Sequence, residues 1–207
     1  MSGIATIPAY PLPTAADLPP SVMSWKPDPD RSVLLVHDMQ RYFLAPFGEA
    51  LRRELIDHVA ALRNRCERRG VPVVYTAQPG DMNRTERGLL DDVWGPGMSR
   101  SDEDRAIVRE LAPGRHDTVF TKWRYSAFCR TPLLDHLRRQ GRDQLVVCGV
   151  YASVGVLMTA VDAFSHDIET FLAADAVADF GPDDHGATLR YAATRCARVM
   201  TGQEVFA

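Results

Sequence analysis

Three places in the sequence pair chemically capable residues with the ends of apolar runs. Asp38 closes the run Ser32-Val33-Leu34-Leu35-Val36-His37-Asp38, Lys122 ends a second run near 118–122, and the stretch Gly149 to Val156, GVYASVGV, leaves a third. In open α/β sheets ligands bind outside the carboxyl ends of the strands, so an acid, a cation and exposed backbone could meet in one crevice. There the acid could deliver a proton and the cation could hold an anion. Position alone leaves ordinary readings open: Asp38 as a turn or helix cap, Lys122 as a solvated side chain, Gly149 as a tight turn. GVYASVGV is not a phosphate loop, because it lacks the GK[ST] ending that supplies lysine and hydroxyl.

Other chemistries find less support. Cys66, Cys129, Cys148 and Cys196 are far apart with no CxxC pair, and the six histidines form no HExxH-like pair, so no metal or cofactor is expected and the cysteines read as reduced. A net charge of -3 with interspersed Lys, Arg, Asp and Glu gives no basic stripe, which argues against nucleic acid. No stretch approaches the roughly 18 to 20 apolar residues of a membrane span, and MSGIATIPAYPLP lacks a basic segment followed by an apolar one. A cytoplasmic protein with no membrane partner is the expectation.

The elements that must position these residues follow from periodicity. The first thirty residues, with prolines at 8, 11, 13, 19, 20, 27 and 29, cannot form regular structure and read as an ordered arm or a frayed tail. The run at 32–38 reads as a strand buried on both faces of a parallel sheet. Leu51, Leu55, Val59, Leu62 and Cys66 mark one apolar helix face, ending where Gly70 can supply a left-handed cap. Further strands are expected at 71–77, 118–122, 144–150, 170–174 and 198–201, with helices near 102–111, 132–140, 154–166 and 184–197. This alternation predicts a doubly wound, mostly parallel six-stranded α/β sheet with helices on both faces, as one domain over 31–207 after the arm at 1–30. The helix at 154–166 is apolar on nearly every face of its first two turns. It must be sandwiched inside the domain or docked on a second subunit, and a homodimer is predicted.

LLVHDMQRYF at 34–43, TKWRYSAF at 121–128 and GVYASVGV at 149–156 resemble the isochorismatase-like hydrolase family. The likeness extends through YPLPTAADLP at 10–19, GLLDDVWGPGM at 88–98 and VDAFSHDI at 161–168, and so spans nearly the whole chain. It is strongest with the stand-alone phenazine-type members, since the sequence reaches Ala207 without a carrier-protein segment. The position matching the nucleophilic Cys of the family's amidases is Gly155, and the metal-binding stretch of nicotinamidases appears as Ala77-Gln78-Pro79-Gly80. The resemblance therefore implies neither covalent catalysis nor a metal.

What it does imply is hydrolysis of the enol-pyruvyl ether of 2-amino-2-deoxyisochorismate, with isochorismate as the alternative substrate. Asp38 would protonate the terminal methylene and Lys122 would order Asp38 and hold a substrate carboxylate. Whether Asp38 has a raised pKa is open at this level, because burial would raise it and Lys122 would lower it. Gln78 and Arg87 would face the ligand, Tyr42, Phe43, Trp94, Tyr125 and Tyr151 would line the pocket, and Gly155 would offer backbone N–H groups. For Arg87 the competing reading is a solvated loop residue, and for the aromatics it is core packing, above all for Phe43. The family also leads one to expect a non-proline cis peptide at Val150-Tyr151. A non-catalytic pathway-binding protein is the rival from another class.

Overall fold

In the computed structural model, which describes residues 4–99 and 101–207, six parallel strands form one sheet: β1 Ser32–His37, β2 Val73–Ala77, β3 Thr118–Thr121, β4 Gln144–Val150, β5 Glu169–Ala178 and β6 Arg198–Met200. Their order is β3-β2-β1-β4-β5-β6. The chain winds outward from β1 through β2 to β3, then returns beside β1 as β4 and winds the other way. The direction reverses between β1 and β4, and this is where open α/β sheets leave a crevice.

β1 has no exposed residue because both of its faces are covered. Leu34 and Val36 face a layer built on α1 (Glu49–Arg68), which contributes Leu51, Leu55, Val59, Leu62 and Cys66. Val33 and Leu35 face the opposite layer, packed with Leu133 and Leu137 of α2 (Leu133–Arg139), Ala160 and Ala163 of α3 (Leu157–Ser165), and Leu189, Ala192 and Ala193 of α4 (Pro182–Arg195). Gly70 ends α1 at φ 69°, a left-handed cap that glycine adopts without strain.

The predicted helix at 102–111 is absent as such. One turn, Asp102–Arg105, is followed by extended backbone at Ala106 and a 3-10 turn at Arg109–Leu111. The intervening backbone pairs with the segment after β1: Arg41 N–H donates to Ala106 O (2.9 Å) and Val108 N–H to Met39 O (3.1 Å). Those bonds replace the helical ones. The predicted helix at 154–166 also begins differently, with a π-helical turn over Ala152–Val156 before α3. β5 runs on past a register shift opposite Val147 and Gly149, well beyond the five residues expected.

α3 is not enclosed on all sides. Thr159, Ala160 and Ala163 are buried, whereas Leu157, Met158 and Val161 are half-buried and Phe164 is 47% exposed beside Trp25. The proline-rich arm packs against the domain, with Ile7, Tyr10 and Leu12 in the core. Among the described residues no helix is long and apolar enough to cross a membrane. The four cysteines are free thiols, three of them buried.

Candidate active site

The C-terminal end of β1 delivers Asp38. Its backbone adopts φ 51°, a left-handed conformation that Asp tolerates better than most residues, and the chain turns sharply there. Asp38 as a whole is 4% exposed. Thr76, on β2 where His37 pairs with it, donates its hydroxyl to Oδ1 at 2.7 Å. Lys122, just past β3, donates Nζ–H to Oδ2 at 2.7 Å. Lys122 is itself 2% exposed, so it is a buried partner and not a solvated side chain. Its backbone N–H extends the ladder to Ala77 O at 2.9 Å, which fixes where the side chain departs.

Burial pushes the Asp38 carboxyl up, but the Lys122 charge, His37 and the two hydrogen bonds outweigh it, and the net shift is downward. His37 is fully buried, and burial holds it down at about 4. It is therefore neutral near pH 7, and the lowering of Asp38 there is the work of Lys122 and the hydrogen bonds. The His37 Nδ1–H donates to Val150 O at 2.8 Å, because a carbonyl can only accept.

β4 ends at a cis peptide, Val150-Tyr151, as the resemblance leads one to expect. Gly149 and Gly155 are required here by space. At Gly149, with φ 111°, a Cβ would stand 2.1 Å from His37 O, and at Gly155 it would stand 2.1 Å from His37 Cε1. No side chain of any kind fits at 155 while the imidazole occupies that place. Ser153 offers no substitute nucleophile, since its hydroxyl donates to Asp179 Oδ1 at 3.0 Å. Cys148 lies inside β4 with its thiol pushed well up by burial.

All ten residues singled out in the sequence line one cavity: Asp38, Lys122, Gln78, Arg87, Tyr42, Phe43, Trp94, Tyr125, Tyr151 and Gly155. Arg87 is 6% exposed, at the end of a one-turn helix Arg84–Arg87 rather than on an open loop. Its Nε–H donates to Gly95 O at 2.8 Å, and its guanidinium lies flat against Gly97, where a Cβ would come within 2.9 Å of three of its atoms. Gln78 is held by its backbone: Gln40 Oε1 accepts its N–H at 2.7 Å and Gln40 Nε2 donates to its carbonyl at 2.9 Å. Its side chain is thereby presented from a fixed point at the end of β2.

Two of the lining aromatics, Tyr151 and Trp94, belong to a longer stack of rings. Phe47, Tyr151, Phe180 and Trp94 stack in succession, with centroid separations of 5.5, 4.5 and 5.7 Å. Tyr151 donates its hydroxyl to Phe43 O at 2.5 Å, and Trp94 Nε1–H donates to Tyr125 OH at 2.8 Å. Phe43 is half-buried at the cavity edge, so core packing does not account for all of its surface.

The sequence reading missed Thr76, His37, Gln40 and Phe180. Thr76 and Gln40 act through register and loop contacts that no local pattern displays. His37 sits next to Asp38, but its role as the filler of the Gly155 space needs the β1–β4 pairing to appear. Among the described residues no cluster of three His, Cys, Asp or Glu could hold a metal ion.

Fold and site together define a doubly wound α/β protein with a buried acid–lysine pair at the switch point of its sheet, beneath an aromatic-walled pocket. A family model of the isochorismatase domain matches residues 32–204. The chain is 58% identical over 205 residues to the phenazine biosynthesis protein PhzD1 of Pseudomonas aeruginosa, covering 99% of each. It is 51% identical over 201 residues to the isochorismatase of Bacillus subtilis, covering 96% of this chain and 64% of that one. A cysteine hydrolase from Pseudomonas syringae pv. phaseolicola superposes with a TM-score of 0.82 over 90% of this chain and 95% of that chain, at 24% identity, a likeness of fold. The chain belongs to the isochorismatase family and is a hydrolase of that family.

Proposed function

We propose that the protein hydrolyses the enol-pyruvyl ether of 2-amino-2-deoxyisochorismate to pyruvate and trans-2,3-dihydro-3-hydroxyanthranilate, a step of phenazine biosynthesis or of a related anthranilate-derived pathway. The observation that carries this reading is the Asp38 carboxylate held by Lys122 in a pocket whose nucleophile position, Gly155, is filled by the His37 ring. The pathway rests on the near full-length identity to a relative named for phenazine biosynthesis. Isochorismate, the substrate class named for the Bacillus subtilis relative, differs by a ring hydroxyl in place of the amine and is the second substrate to test.

A vinyl ether needs no nucleophile on the enzyme, only an acid placed at its terminal carbon. Free Asp38 is ionised, so it must gain a proton as the substrate binds. Two incoming carboxylates favour this: they raise the negative potential at Asp38, draw Lys122 toward themselves and exclude water. Protonated Asp38 then adds its proton to the methylene, which becomes a methyl group and leaves an oxocarbenium. Water attacks that carbon and returns a proton to Asp38. The hemiketal loses the ring oxygen as an alcohol, with a proton, and pyruvate forms. Lys122 and Arg87 would hold the carboxylates, with Gln78 and the N–H groups near Gly155 as further donors, and the aromatic wall would enclose the ring.

No step in this scheme uses a metal or other cofactor. Free thiols and the lack of a membrane-spanning helix among the described residues are compatible with the cytoplasm, where we place the protein. The test is pyruvate release from the two substrates side by side, with EDTA present and Asp38→Ala as control. Release that survives EDTA and is lost in the variant supports the mechanism, and the ratio of kcat/KM values selects the substrate. No release from either would favour a non-catalytic pathway-binding protein.

A further inference from the structure

The proline-rich arm reaches the pocket wall at Ile4 and is tied to the elements behind that wall at two further points. Ile4 is a half-buried member of the cavity wall. Three residues on, Ile7 is 2% exposed and pairs with Phe47: its N–H donates to Pro46 O at 2.8 Å, and Gly48 N–H donates back to Ile7 O at 3.1 Å. Phe47 stacks on Tyr151. Further along, the Tyr10 hydroxyl accepts the Asp179 N–H at 2.7 Å. The same hydroxyl lies 3.2 Å from His185 Nδ1, whose ring bonds Ala174 O through Nε2–H, so Tyr10 donates to Nδ1. The Asp179 carboxylate takes the Ser153 N–H at 2.7 Å and so holds the turn that carries Gly155, and the next residue, Phe180, stacks between Tyr151 and Trp94.

We propose that the arm is a working part of the substrate site, with Ile4 as a specificity-determining apolar contact for the ring portion of a dianionic enol-pyruvyl substrate. The inference rests on the vinyl-ether reading above. Ile7 and Tyr10 fix the arm at two buried points, and between them and the pocket Ile4 has a defined place on the wall. Ile4 belongs to the arm and not to the strand ends that carry Asp38 and Lys122, so changing it should alter binding and leave the proton transfer alone.

The test compares Ile4→Ala, Ile4→Asn and Ile4→Asp with the wild-type protein, measuring pyruvate release and melting temperature. Ile4→Ala should raise KM about threefold to tenfold with kcat within twofold, as expected from losing part of an apolar contact. Ile4→Asp should raise KM well beyond the nearly isosteric Ile4→Asn, because its carboxylate faces a dianion, and added salt should narrow the gap. Equal KM values for the Asp, Asn and wild-type proteins would overturn the proposal, as would a loss confined to melting temperature. Absence of turnover in the wild type would instead overturn the vinyl-ether reading. In that case acrylamide quenching of Trp94, which lines the same cavity, read in protein carrying Trp25→Phe and Trp123→Phe, decides the arm's place: quenching should steepen in Ile4→Ala, and unchanged quenching would refute Ile4's place on the pocket wall.

Discussion

At Asp38 two opposed effects set the proton affinity, and their balance yields kinetic predictions. Burial favours the neutral acid, but the Lys122 ammonium at 2.7 Å favours the anion and prevails. A mechanism that needs the acid form therefore begins from its minor species. With the free-enzyme pKa below the ordinary carboxylate value, the protonated fraction falls about tenfold per pH unit above it. kcat/KM should accordingly decline with a slope approaching -1 between about pH 5 and pH 8 while kcat stays nearly level. Calorimetry of a non-hydrolysable dicarboxylate analogue in two buffers of different ionisation enthalpy should register proton uptake near pH 7. A flat kcat/KM profile with no uptake would assign the acid to another group. Asp38→Asn should cost pyruvate release about 10²- to 10⁴-fold, the usual worth of a positioned acid.

The same pair makes a stability prediction. A folded carboxyl with a depressed pKa adds stability above the unfolded value near 3.9, and this is lost as pH falls through the folded pKa. Lys122→Met removes the partner and leaves Asp38 buried and unpaired, which reverses the shift. The variant should be less stable than wild type by about 3 to 5 kcal/mol at pH 7, and the gap should shrink near pH 4 as its Asp38 protonates. Urea denaturation at the two pH values checks this, and adding Asp38→Asn should recover part of the loss at pH 7.

At the scale of elements, the β4 end and the turn after it pack so closely on β1 that glycine is obligatory twice. Gly149→Ala combines φ 111° with a Cβ 2.1 Å from backbone, whereas Gly155→Ala meets the side chain of His37. Gly70 also has positive φ but nothing within 4 Å of an added Cβ. Urea denaturation should rank the losses Gly149→Ala, then Gly155→Ala at about 1 to 3 kcal/mol or more, then Gly70→Ala at about 1 kcal/mol. His37→Ala should relieve much of the Gly155→Ala penalty, so the two substitutions will be non-additive. The rank order tells backbone obstruction from side-chain obstruction, because only the latter can yield by removing one ring.

For the whole molecule, the half-buried Leu157, Met158 and Val161 with exposed Phe164 form an outward apolar face on α3, and we propose that it pairs with a second copy of this chain. Light scattering at micromolar concentration should return the mass of two chains, and Phe164→Asp should shift it toward one. A single-chain mass for the wild type would dismiss the dimer. Closure of the pocket is likewise a property of the whole chain: wall residues come from the arm, the segment after β1, the 78–98 loop and the turns after β3 and β4.

The run at 32–38 specifies a doubly covered strand because residues 33–36 are apolar on both faces, and Asp38 is legible as a strand-terminal acid for that reason. The helix face of Leu51 to Cys66, the Gly70 cap and the order of strands and helices follow from local periodicity in the same way. The family likeness supplied the remaining pocket residues, which sit on short helical turns and connecting segments around the strand ends. Tertiary structure alone decided the rest. Asp38 meets Thr76 through β1–β2 register, and Lys122 is buried because β3 ends over the same crevice. The sign of the Asp38 shift needed an actual distance to Lys122, since burial and charge pull in opposite directions. The 102–111 segment lost its helix to hydrogen bonds with residues 39–41, a partner distant in sequence. Gly155 looked like an opening for a ligand, but the ring that fills its side-chain space comes from a strand more than a hundred residues earlier, a contact that sequence periodicity cannot encode.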